Sequence, residues 1–141
     1  MALLADIEIE RIGRGLVERT LAKSDWTHQA HFAAALWLLR RHGPATERVM
    51  PGLIRAYNEA TGTANTHTGG YHETITLASL RAARFMLEAT PHARLADVLE
   101  AVMAREFGES GWLLAYWRRQ TLFSVEARLK WMDPDLRELT F

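Results

Sequence analysis

The sequence predicts an all-α fold, a compact helical bundle of about four core helices with shorter covering helices. Three observations predict it. Turn residues cut the 141-residue chain into helical lengths, no alternating apolar–polar stretch is long enough to argue for a sheet, and apolar residues recur at three- and four-residue spacings. Residues 3–22 are rich in helix formers, with Glu8, Glu10, Arg11, Arg14, Glu18 and Arg19 as the wet side and Gly13 and Gly15 weakening the segment. Ser24-Asp25-Trp26-Thr27 offers N-cap side chains to an apolar helix over 28–42, which Gly43-Pro44 stops. A third helix is expected over 45–60, with Pro51-Gly52 as a kink or restart. The turn-rich stretch 62–70 leads into a fourth helix over 71–88. Thr90-Pro91 begins a fifth, to about residue 106, and Ser110-Gly111 opens a sixth, to about residue 119. Ser124 starts a short seventh, which Asp133-Pro134-Asp135 ends.

Composition narrows the function. With 48% hydrophobic and 24% charged residues, no repeat and no linker, the chain reads as one domain, 1–141. Lys+Arg and Asp+Glu are both 17, so no net field recruits nucleic acid or an anionic membrane. Cysteine is absent, which leaves His and carboxylates as the metal ligands on offer. Acids at Asp6, Glu8 and Glu10 come too early for a signal-peptide core, and no apolar run reaches the roughly 20 residues of a membrane span, so a cytoplasmic location is expected.

The histidines carry the chemical signal. At about 100° per residue, His28 and His31 fall on a stripe with Ala35, Leu38 and His42, opposite Gln29, Arg40 and Arg41. On the fourth helix His72 falls with Ile75, Ser79, Ala82 and Met86, opposite Arg81, Arg84 and Glu88, while Glu73 lies in the first turn, where the dipole favours a carboxylate. A helix and a loop separate these two helices, so in an up-and-down bundle they run parallel and share one end. His28, His31, His72 and Glu73 then form the ligand set of a divalent transition metal: Zn, Fe, Cu, Ni or Mn. The alternative is a hydrogen-bonded polar network, because each buried imidazole needs a partner. His67 is expected in solvent, His42 at a helix C-terminus and His92 on the surface.

The chain resembles a family of short bacterial helical proteins to which no reaction, substrate or cofactor is assigned. The resemblance rests on Trp26-Thr27-His28-Gln29-Ala30-His31-Phe32, on Arg55-Ala56-Tyr57-Asn58 with Gly62-Thr63-Ala64-Asn65-Thr66, and on Gly70-Tyr71-His72-Glu73-Thr74-Ile75-Thr76. Leu122-Phe123-Ser124, Glu126-Ala127-Arg128 and Pro134-Asp135-Leu136 extend it over most of the chain. It implies that His28, His31, His72 and Glu73 belong to one site.

Trp26 and Tyr71 adjoin the histidine motifs and are expected to wall a small pocket, with Tyr71 able to donate to a ligand. The apolar run from Trp112 to Trp117 is either central or a homodimer surface. Two functional classes follow. One is a metal-dependent enzyme on a small molecule, with Glu73 as fourth ligand or general base. The other is a non-catalytic helical module that binds a ligand or partner chain and uses the histidines structurally. Thr66, His67 and Thr68 are expected to turn inward if the 62–70 loop is a lid over the site. If it is a connector, Asn65 and the threonines pin it.

Overall fold

A computed structural model describes residues 4–141, so the expected first residue of the first helix, Leu3, lies outside the described residues. Among the described residues the chain is all-α: α1 (Asp6–Glu18), α2 (His28–His42), α3 (Thr46–Ala60), α4 (Glu73–Ala89), α5 (Leu95–Ala104), α6 (Arg119–Leu122) and α7 (Val125–Leu129), joined by turns and short 3-10 segments. Among the described residues no helix is long and apolar enough to cross a membrane.

Helix α2 occupies the centre because it is apolar almost all round. Ala30, Phe32, Ala33, Ala34, Ala35, Leu36, Leu38 and Leu39 are all buried, against α1, α3, α4 and α5. Even Gln29, assigned by periodicity to the wet face, is half-buried, since a central helix has little wet face to offer. The glycines that weaken α1 as a helix are what let it approach. A Cβ on Gly13 would sit 2.4 Å from the Trp37 ring, so only glycine fits there. Thr27 caps α2 by accepting from the Ala30 N–H at 3.2 Å, and Ser124 caps α7 by accepting from Ala127 at 3.1 Å.

Several boundaries differ from expectation. Helix α3 runs through Pro51-Gly52 without interruption, with Pro51 buried in its second turn. Helix α5 begins only at Leu95, after a turn at Pro91–Ala93. The expected sixth helix is a 3-10 segment, Trp112–Ala115, which puts Trp112, Leu113, Tyr116 and Trp117 in the core, so this run is central.

The C-terminal segment is strapped to the start of α4. The buried Thr74 hydroxyl donates to Lys130 O (2.9 Å) and accepts from the Met132 N–H (3.1 Å). Arg128 donates to the carbonyls of Gly70 (2.9 Å) and Tyr71 (3.3 Å), and the Trp117 indole N–H donates to Met132 O. These bonds fix the frame on which the α4 N-terminus sits beside α2.

Candidate functional site

The beginnings of α2 and α4 do share one end of the bundle. Between them opens a cleft of about 390 Å³ lined by Trp26, His31, Ile54, Asn58, Thr63, Gly70, Tyr71, His72, Ile75 and Thr76. That volume lies in the range of small-molecule sites, roughly 300–1,000 Å³. A narrow apolar annex of about 50 Å³ continues past His31, Ile54, Ile75 and Thr76 to Ala35, Met50 and Leu80. Trp26 and Tyr71 wall this cleft, as their position beside the histidine motifs predicts.

The histidines themselves do not converge. Among the described residues no three His, Asp or Glu side chains form a group able to hold a metal ion. His28 lies three residues before His31, so the two side chains leave α2 about 60° apart, enough to send them to different neighbours. His28 Nε2–H donates to Phe107 O at 2.7 Å, and its ring meets Phe32 edge-on. It closes the seam between α2 and the segment after α5, away from the cleft.

His72 is displaced from its expected inward stripe because α4 starts at Glu73, which makes His72 the N-cap. Its Nδ1 accepts from the Ile75 N–H (3.2 Å) and its Nε2–H donates to Leu122 O (2.7 Å). Both ring nitrogens are therefore engaged, and the pattern requires the neutral Nε2–H tautomer. Burial pushes its pKa down, the Arg128 charge adds to this, and the bond to Leu122 opposes it.

Glu73 and Tyr71 pair with each other rather than with the imidazoles: Tyr71 OH donates to Glu73 Oε1 at 2.6 Å. Burial and then this carboxylate raise the phenol above its ordinary pKa, so Tyr71 is a neutral donor already in use. Arg55 stacks over its ring at 4.3 Å. The arrangement holds Tyr71 as a wall and leaves Glu73 outside the cleft lining.

His31 differs from the others. Its Nδ1–H donates to Thr27 O at 2.7 Å, and its ring stacks on Trp26 with centroids 3.8 Å apart. Its Nε2 makes no hydrogen bond among the described residues, and the residue lines the cleft. Desolvation lowers its pKa, against the Thr27 bond, so the ring is a neutral acceptor at pH 7. Tyr57 backs this pair: its ring tilts against Trp26 at 5.5 Å and its hydroxyl is fixed on Leu21 O.

The 62–70 segment borders the cleft through Thr63 and Gly70 and is pinned in place. Asn65 donates to Arg55 O (3.0 Å) and accepts from the Tyr71 N–H (2.9 Å) and from Asn58 Nδ2 (3.0 Å). Gly70, at φ 76°, passes so close to Ala64 O that a Cβ would stand 2.5 Å away. Thr66, His67 and Thr68 are exposed rather than turned inward, because the Thr66 N–H to Gly69 O bond closes a tight outward turn. His42 and His92 are exposed as well.

Periodicity on the histidine-bearing helices leaves out the α3 contribution. Ile54 and Asn58, four residues apart on one face, are the signal that marks it. No family model, curated protein or solved structure matches the chain, so the reading of the site rests on its own residues.

Proposed function

We propose that the protein is a helical small-molecule-binding module whose ligand occupies the cleft between the N-termini of α2 and α4. The observation that carries this is His31, with no partner on Nε2, in a cleft whose apolar walls are Trp26, Tyr71, Ile54 and Ile75 and whose other polar groups include Asn58, Thr63 and Thr76. Such sites combine mostly apolar walls with a few fixed polar groups that orient the ligand. The other two histidines work as structural bonds, which is the role the polar-network alternative gives them.

A metal-dependent enzyme is the competing reading, and it takes second place on geometry. To ligate one ion with His31, His28 would have to leave Phe107 O, and His72 would have to give up a cap or its bond to Leu122 O. Each imidazole removed from a buried carbonyl leaves an unsatisfied acceptor, at about 1–3 kcal/mol. Element analysis of protein purified without chelator or affinity metal separates the readings. A stoichiometric transition metal would put the enzyme first.

The binding reading itself is tested by amide NMR with a library of small aromatic fragments. Shifts should cluster on Trp26, His31, Asn58, Tyr71 and Thr76. Fragments that shift only residues elsewhere, or none that shift the cleft, would refute it.

A further inference from the structure

The geometry points to the class of ligand: we infer that the cleft takes an uncharged aromatic molecule with one O–H or N–H donor, for which a phenol with a short para-alkyl chain is the model. This rests on the cleft being a binding site. Three features select the class. First, among the described residues no Asp, Glu, Lys or Arg lines either the cleft or its annex, so charged groups such as Arg55, over Tyr71, stand behind the wall and an ionic ligand would lose its hydration without a direct ion pair. Second, the His31 ring offers an acceptor of fixed character. Because Nδ1 of His31 is bound to Thr27 O as a donor, Nε2 carries the lone pair and accepts only. At this nitrogen a ligand carbonyl or ether oxygen finds no donor, whereas a hydroxyl or N–H finds its acceptor. Third, the shape is directional. His31, Ile54 and Ile75 line both the wide cleft and the annex, so the donor-seeking nitrogen sits at their junction. At about 10–15 Å³ per water-sized occupant, the annex of about 50 Å³ holds about three to five heavy atoms. Ala35, Met50 and Leu80 at its end suit an alkyl group. Trp26 and His31, stacked on each other, form one aromatic wall against which a ligand ring packs.

Three probes, 4-ethylphenol, phenol and 4-ethylanisole, titrated against the full chain by amide NMR, test this. The first should shift the cleft residues and bind most tightly. Phenol, lacking the alkyl group, should bind more weakly. 4-Ethylanisole, which caps the hydroxyl with a methyl group and so has no donor, should bind about three- to tenfold more weakly than 4-ethylphenol, the loss of one net hydrogen bond. In His31→Phe, which keeps a ring against Trp26 but removes the acceptor, the preference for the phenol over the anisole should vanish while both still bind. Equal binding of 4-ethylphenol and 4-ethylanisole to the unaltered chain would overturn the donor assignment and leave the cleft standing as a site. No cleft shift with any of the three would overturn the ligand class, and the fragment library then decides whether the cleft binds anything.

Discussion

His72 and His31 stand on opposite sides of one cleft and teach different lessons about the same residue type. Both are driven toward the neutral form by burial. At His72 the two ring nitrogens join two elements, the α4 N-terminus, which it caps, and α6 through Leu122. At His31 one nitrogen is tied to its own helix and the other is left for something outside the chain. Burial and a shifted pKa therefore do not identify a functional histidine. The free valence does.

The sharpest way to break this comparison is to remove each ring in turn. His72→Ala deletes an N-cap, at about 1 kcal/mol, and leaves the buried Leu122 carbonyl without a donor, at about 1–3 kcal/mol. A total loss of about 2–4 kcal/mol is expected in urea denaturation. His31→Phe keeps the stack on Trp26 and removes one donor from a carbonyl that also accepts the His31 N–H, so about 1 kcal/mol or less is expected. Equal losses for the two variants would abolish the distinction.

A second contrast lies inside the 62–70 segment. Asn65 bridges Arg55, Asn58 and Tyr71, whereas His67 is exposed two residues later. Asn65→Ala should cost about 1–3 kcal/mol, and should speed amide exchange at Tyr71, which loses its acceptor. His67→Ala should stay within about 0.5 kcal/mol of the unaltered protein. If both variants exchange alike, Asn65 does not pin the segment, and a lid formed by Thr66–Thr68 becomes worth testing.

How far the sequence could be read follows from the range of the interactions. The central α2, its Thr27 cap and the parallel course of α2 and α4 were legible because they depend on local periodicity, a local side-chain bond and an element count. The same reasoning brought Trp26, His31, Tyr71 and His72 to one cleft. It failed at the partners of the rings. His28 bonds to a carbonyl 79 residues away and His72 to one 50 away, and no periodicity reports which backbone oxygen will arrive there. The metal expectation also hung on a boundary: starting α4 at Tyr71 places His72 on an inward stripe, and starting it at Glu73 makes the same residue a cap. The region after Ala104 was the least legible, since its short 3-10 and α segments are held by contacts such as Thr74 with Lys130 and Asp135 with Arg118 and Thr121, not by amphipathic faces.

The pH dependence of stability reads both histidines together, because they contribute with one sign. In the unfolded chain each imidazole takes a proton near its ordinary value of about 6.5. In the folded chain His72 resists it: the proton would go to Nδ1, destroying the acceptor for the Ile75 N–H, in a buried place facing the Arg128 guanidinium. His31 resists because burial disfavours the charged ring, and the neighbouring His28 adds to this. The folded pKa values thus lie below the unfolded ones, the unfolded state binds more protons as pH falls, and stability is lost from about pH 6.5 downward until the folded groups themselves titrate. Each group adds a slope of at most about 1.4 kcal/mol per pH unit in that window. Urea midpoints measured between pH 7.5 and 5 should therefore fall, and the fall should be shallower in His31→Phe, where one of the two titrating groups is gone. A ligand whose donor occupies Nε2 should steepen the dependence, because it binds only the neutral ring and so lowers the folded pKa further. An unchanged slope in His31→Phe would show that this imidazole is not held neutral, and would remove the acceptor on which the cleft depends.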